Sequence, residues 1–324
     1  MGQSAGMPNP FRLRLGFVLL ALLAGCTTVE TGPVIVPPPS IRPGAPVFAE
    51  PEIRAPSAES LAARAYYARV QANLQSQGLL RTDGGGRDTP YSARQLAESF
   101  LKIALYDEYV ASNGALVART TESRLRRWDA PVRLGIEFGP SVPAAQRVKD
   151  RGDLAAFGAR LASASGHPVR LDQGNANFTV LMLNEDERRS AGPLVQRIVP
   201  GIDRSAIRAI ADMPPSTYCV VFAFAAGPEA AYSRALAVIR AEHPDLLRLS
   251  CIHEEVAQGM GLANDSPRAR PSIFNDDEEF ALLTRQDELM LKMLYDPRLR
   301  TGMSLSEARP VVATIAEELL GGES

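Results

Sequence analysis

The stretch Cys251-Ile-His-Glu-Glu-Val-Ala-Gln-Gly-Met-Gly-Leu-Ala-Asn-Asp265 carries most of the residues in this chain able to do chemistry. His253-Glu254 begins like the zinc-binding spacing in which two imidazoles one helical turn apart grip the metal and the Glu activates water. The second imidazole position holds Ala257, and the chain has only 3 His, namely His167, His243 and His253. A three-imidazole site would need all of them, so an ordinary zinc site is not expected. Glu254 and Gln258 form an i,i+4 pair on a helix, a spacing that alone reads equally as a solvated hydrogen-bonded face. His253 shares a face with Ala257 and Met260, the setting of a half-buried structural imidazole. The acidic run Asp276-Asp277-Glu278-Glu279 reads as an exposed face or a helix-preceding charge cluster, with Arg268 and Arg270 as partners. Its other reading is a hard cation held by Asp265, Asp276 and Asp277, or by the run 276–279 itself, although no recognised loop spacing supports it.

Shifting the register by one residue makes the segment more informative. Glu254 through Asp265 superposes without gaps on the pattern HExxHxxGxxH followed by Asp, and so resembles the metzincin zinc peptidases. In that register the three ligand positions hold Glu254, Gln258 and Asn264. Glu255 keeps the general-base position and Gly261 the glycine at which the chain turns away from the helix. Downstream, Ser272-Ile273-Phe274-Asn275 resembles the Met-turn with Phe274 in place of methionine. Leu283 through Asp287 to Leu294-Tyr295 resembles the closing helix, which brings Tyr295 toward the site. The resemblance implies Glu255 and Glu254 as catalytic candidates and His253, Gln258, Asn264, Asp265 and Tyr295 as residues lining the site. It also implies loss of zinc, because one carboxylate and two amides replace three imidazoles. No cofactor is expected.

A second resemblance covers about residues 80–320. Leu125-Arg126-Arg127-Trp128, Ser250 through Glu255 with Gln258, Asn264-Asp265-Ser266, Asn275 through Glu278 and Leu294 through Leu299 carry it. On these the chain resembles a proteobacterial lipoprotein family built on a domain of unknown function. That likeness implies a fold and an address and brings no activity.

The elements that must position these residues follow from patterning. Ser57 caps a helix over 58–77 with Leu61, Ala65, Tyr66, Val70 and Leu74 as its apolar stripe. Ser92 and Gln95 make a capping box for a helix over 93–107 with Leu96, Phe100 and Ile103 inward. Asn113-Gly114 signals a hairpin. Strands are expected at 132–138, 178–183, 218–224 and 233–241, and helices at 150–165, 190–212, 245–260, 284–295 and 305–320. The fold class is α+β: a metzincin-like mixed sheet with flanking helices and a C-terminal helical subdomain.

The chain has 324 residues, is 45% hydrophobic, and carries 35 Lys+Arg against 37 Asp+Glu, a formal charge of -2. That is ample for a core and excludes a protein that coats nucleic acid, which needs a basic excess. With 3 Cys it is no disulfide-dense scaffold. It contains neither a phosphate-loop motif nor a nucleophile elbow.

Arg12, Arg14 and the apolar run Leu15–Leu23 lead into Leu23-Ala24-Gly25-Cys26, which reads as a signal peptide over 1–25 with a lipobox cysteine. An apolar run of roughly 10 residues is too short for a span of about 20. Cys26 is therefore the expected lipidation site, and the chain is expected in the cell envelope, anchored to the membrane, facing the periplasm, with Thr27 favouring the outer membrane. Residues 26–56, with eight prolines from Pro33 to Pro56, read as an extended tether. Residues 57–324 form the globular domain.

Three functions fit these observations. The first is a non-catalytic binding or scaffolding module of the envelope, taking a peptide or envelope-protein partner along an exposed sheet edge at 233–241. The second is a hydrolase with an unusual site and Glu255 or Glu254 as general base. The third is a purely structural lipoprotein. Export also bears on the thiols Cys219 and Cys251, since disulfides persist in an oxidising compartment. A bridge between the strand and the site helix is expected, against the alternative of two buried free thiols.

Overall fold

Most segments have a local reason for their secondary structure, and tertiary contacts select the face each one buries. A computed structural model describes residues 55–321 apart from 113–114 and 228–230. The expected signal peptide, Cys26 and all of the expected tether but its last two residues lie outside the described residues. So does the Asn113-Gly114 turn.

The chain runs α1 (Ala58–Ser76), α2 (Ala93–Ala104), β1 (Tyr106–Ser112), β2 (Ala115–Glu122), β3 (Val132–Phe138) and α3 (Ala144–Ser165). It continues through β4 (Val169–Leu171), β5 (Phe178–Leu183), α4 (Glu185–Arg189), α5 (Gly192–Ile198) and α6 (Arg204–Ala211). It closes with β6 (Cys219–Ala225), β7 (Tyr232–Arg240), α7 (Asp245–Gln258), α8 (Arg285–Leu294) and α9 (Leu305–Gly321). The architecture is α+β, as expected.

The main sheet has the order β4-β3-β5-β7-β6, with β6 antiparallel to β7 and the other pairs parallel. Strands β5 and β7 are buried along their central residues, as parallel strands covered on both faces must be. Leu134, Ile136, Phe178 and Val180 face one side, where α2, α3, α7, α8 and α9 pack. Leu181, Leu183, Leu236 and Val238 face the other, under α5 and α6. Burial of each such side chain stabilises by about 1.5–3 kcal/mol. β1 and β2 form a separate antiparallel ladder.

The capping box of Ser92 and Gln95 opens α2, and Gly166, in the left-handed region at φ 71°, closes α3. α3 starts six residues before the expected boundary, at Ala144 after Pro143, and the helical region 190–212 resolves into α5 and α6, with the unexpected short α4 just before it. Two expectations change more substantially. On α1 the apolar stripe does not face the core: Leu61 is 55% exposed and Tyr66 38%, while Ser60 and Tyr67 are buried. Polar contacts decide this face. Ser60 Oγ donates to Glu242 Oε1 at 2.7 Å, and Tyr67 donates to the Pro215 carbonyl at 3.0 Å and packs edge-on against His243. The segment 233–241 is not a sheet edge either. β7 lies between β5 and β6, and the edge beside α7 is β6.

Among the described residues no helix is long and apolar enough to cross a membrane.

Candidate functional site

α7 runs off β7 and carries Cys251, Glu254, Glu255 and Gln258. Its inner residues Ile252, Val256 and Ala257 are fully buried against the sheet. Cys251 bridges to Cys219 on β6, with Cα atoms 5.9 Å apart. This bond ties the helix to the free edge of the sheet, and a cleft of about 410 Å³ lies beside the joint. Every residue from Ser216 to Phe224 lines it. Side chains of a strand alternate between faces, so consecutive residues can line one cleft only where the strand presents its backbone edge.

The rest of the lining is acidic. Glu254, Glu255 and Gln258 come from α7, Asp265 from the loop after it, Asp276 and Glu278 from the next turn, and Asp107 and Glu108 from β1. Among the described residues Arg126 is the one basic residue in the lining, and it pairs with Asp107. Gln258 Nε2 donates to Asp265 Oδ1 at 3.2 Å. Glu255 is 4% exposed, and its Oε2 has no hydrogen-bond partner.

Burial pushes the carboxyls of Glu254, Glu255 and Asp265 well above their ordinary range, and neighbouring carboxylates add to the shift. For Glu254 that neighbour is chiefly Glu255; for Glu255 and Asp265 it is chiefly Glu108. Glu278 is raised by burial and then by Asp276 and Asp277, and Asp276 by burial and then by Asp277.

The structure thus brings together Glu254, Glu255, Gln258 and Asp265 from the expected set. It does not bring His253, Asn264 or Tyr295 to the cleft. His253 stacks on Phe157 with ring centroids 3.9 Å apart, and its Nδ1 accepts the Leu283 N–H at 3.1 Å. Burial, with Arg160 nearby, pushes its pKa down to about 3, so it stays neutral. Asn264 turns away, its Nδ2 donating to the carbonyls of Lys102 and Asp265. Tyr295 donates its hydroxyl to the Met260 carbonyl at 3.1 Å, beneath the helix end.

These off-cleft residues have a common task. Gly261 sits at φ 127°, and a Cβ there would fall 2.3 Å from the Arg126 carbonyl, so only glycine permits the turn out of α7. Trp128 Nε1 donates to the Gly259 carbonyl at 2.8 Å, and the Arg127 guanidinium donates to the carbonyls of Leu294 and Asp296. The segment Leu125–Trp128 and the end of α8 therefore clamp the C-terminus of α7, satisfying carbonyls that a helix end leaves orphaned. Ser266 N–H donates to the Phe274 carbonyl at 2.7 Å, and Asp287 accepts from Ser272 Oγ, Ile273 N–H and the N–H and hydroxyl of Thr284. Asp265 is thereby held in place by the turn 272–275, itself pinned to α8.

The donor set does not fit zinc. Glu254 and Gln258 are oxygen or amide donors, Asn264 points elsewhere, and all three imidazoles lie off the cleft. His243 packs among Tyr67 and Tyr218 near the disulfide, and His167 meets the Ala130 carbonyl and stacks on Tyr295. Cys219 Sγ lies within 4.8 Å of carboxylate oxygens of Glu254 and Glu255, but as half of a disulfide it offers no thiolate.

Sequence reasoning missed Asp107, Glu108 and the edge strand as parts of the site. Asp107 and Glu108 are far from α7 in the chain and β6 is separated from it by β7, so only the tertiary fold brings them there. No curated protein and no solved structure matches the chain. The family described as "Protein of unknown function (DUF2927)" matches residues 93–314, which span the clamp segment, the sheet, α7 and α8, and the chain belongs to that family.

Proposed function

We propose that the protein is a cell-envelope lipoprotein whose zinc-peptidase-like body has exchanged its metal ligands and serves as a non-catalytic module that holds an extended polypeptide. The observation that carries this reading is the edge strand β6, whose consecutive residues Cys219–Phe224 all line the cleft beside α7. An exposed strand edge offers unpaired backbone donors and acceptors to a further strand. The metzincin-like descent is supported by α7 following the strand β7, by the glycine turn at Gly261, and by the turn 272–275 lying against the loop that carries Asp265.

The test is amide hydrogen exchange on the full chain with heptapeptides selected on it from a random display library. Selected peptides are expected to slow exchange within 219–225. Selection of no peptide, or protection confined to other segments, would sink the reading. The envelope address rests on Cys26: Cys26→Ser is expected to move the protein from the membrane fraction to the soluble periplasm. Unchanged fractionation would remove the lipid anchor from the proposal.

One observation favours the hydrolase as a second reading. Glu255 has a free buried oxygen and a pKa that burial raises well above its ordinary value, a setting in which a carboxyl can take part in proton transfer. Peptide turnover abolished by Glu255→Gln would establish it.

A further inference from the structure

The chemistry of the cleft identifies what such a polypeptide must carry. Glu254, Glu255, Asp265, Asp276 and Glu278 surround a space in which, among the described residues, Arg126 is the only cation, already engaged by Asp107. An acidic cluster is often no more than a solvated surface. Here Glu255 is 4% exposed and its Oε2 is without a partner while the residue lines the cleft. An orphaned buried acceptor costs free energy until a donor arrives, and more so if it is charged.

Two kinds of cation can supply what is missing, and the spacing chooses between them. Calcium takes about 6–8 oxygen ligands at about 2.3–2.6 Å, which requires several carboxylates to converge on a point. Among the described residues no three carboxylates come within 4.8 Å of one another; the group containing Glu254 and Glu255 is completed only by the disulfide-bonded Cys219. A guanidinium, by contrast, spreads five N–H donors over a rigid planar fork and can serve acceptors on different sides of a cleft.

The sheet fixes how that group would arrive. On β6, Val221, Ala223 and Ala225 pack toward the face that α7 covers, and Val220, Phe222 and Phe224 toward the other. A strand added to this edge alternates in the same way, so every second side chain points to the α7 face, where Glu254 and Glu255 lie. Val221 and Ala223 are small enough to leave the approach open.

We infer that the cleft is a recognition pocket for an arginine side chain of an extended peptide paired with β6, with Glu254, Glu255 and Asp265 as its acceptors. The inference rests on the binding reading above and names the class of its ligand. Peptides that protect β6 should share one arginine, with residues two positions either side facing Val221 and Ala223.

The experiment compares a selected heptapeptide with the same peptide carrying citrulline, which keeps the shape and loses the charge. Affinity for the full, disulfide-bonded chain is measured by calorimetry, and hydrogen exchange locates each peptide. Citrulline is expected to weaken binding at least about tenfold, the range of one charge-assisted hydrogen bond. In the variant Glu254→Gln with Glu255→Gln the two peptides should bind within about twofold of each other. Equal binding of both peptides to the unsubstituted chain, with 219–225 still protected, would overturn the arginine pocket and leave the strand-binding reading standing. Selection of no peptide, or no protection there, would remove both. Calcium alone binding stoichiometrically and lost in that variant would also overturn it in favour of a metal site.

Discussion

Replacing Cys219 and Cys251 together by alanine is expected to lower the stability of the full chain by about 3–4 kcal/mol, the chain-entropy cost of opening a loop of this length. The cysteines are 32 residues apart, and the bond joins the edge strand β6 to the helix α7. Both sulfurs are buried, Cys251 at 1% exposure, so the loss of packing adds to the loss of the cross-link. Urea unfolding without reductant, compared between the two proteins, reads the effect. A difference below about 1 kcal/mol, or full alkylation of the unreduced native chain, would show that the thiols are not bridged. The consequence extends past stability. Without the bond β6 is tied to α7 only by packing and through its pairing with β7, so amides of 219–225 should exchange faster in the alanine variant even at temperatures where both proteins are folded.

The second large effect is a loss of stability as pH rises above neutrality. Glu254 and Glu255 ionise near 4.5 and Asp265 near 3.8 in an ordinary setting, while the folded cleft holds all three protonated well above those values. A group with a raised folded pKa contributes its stability fully below the unfolded value and loses it as pH rises through the folded one. The buried imidazoles act in the opposite sense. His253 and His243 have folded pKa values below 6.5, so their contribution is complete above 6.5 and is lost as pH falls. The clean window is therefore pH 6.5 to about 9, above the histidines and below the tyrosines, whose reference value is about 10. Across it the melting temperature of the unsubstituted chain should fall. The variant Glu254→Gln with Glu255→Gln should show a flatter profile and a higher melting temperature at the alkaline end. Parallel profiles for the two proteins would mean that these carboxyls are not held protonated by the fold.

Much of the fold was legible where local chemistry agrees with tertiary packing. The Ser92-Gln95 box opens α2, the apolar run at 219–225 pairs with 232–240, and α7 and α8 begin and end close to their expected bounds. The short strand Val169–Leu171 was not, because three residues carry no readable period and exist as a strand only through β3 beside them. The outward stripe of α1 was misread because hydrophobic spacing cannot register that Glu242 and Pro215 offer hydrogen bonds to Ser60 and Tyr67 on the opposite face.

The site divides in the same way. Spacing along α7 and its loop reveals Glu254, Glu255, Gln258 and Asp265. It cannot reveal that His253 faces Phe157 or that Asn264 reaches the carbonyl of Lys102, because α7 is buried around most of its circumference and each face has a different neighbour. Nor can it show that β6 rather than β7 is the open edge, which is a property of the strand order alone.

That open edge carries a hazard as well as a use. A sheet edge with unpaired backbone groups can zip to the same edge of another copy, the route by which many strands begin to aggregate. Two copies meeting along β6 would press two clefts together, each bearing Glu254, Glu255, Asp265, Asp276 and Glu278. Desolvating ten carboxyls at such a seam would be opposed by the energy of leaving them dry and by repulsion among those that ionise. The acidic lining thus acts as a guard against self-association, admitting a cationic strand while refusing the chain's own. Amide replacements that relieve strain inside the folded molecule should for that reason make it stick to itself, and light scattering at neutral pH would register the exchange of one kind of stability for another.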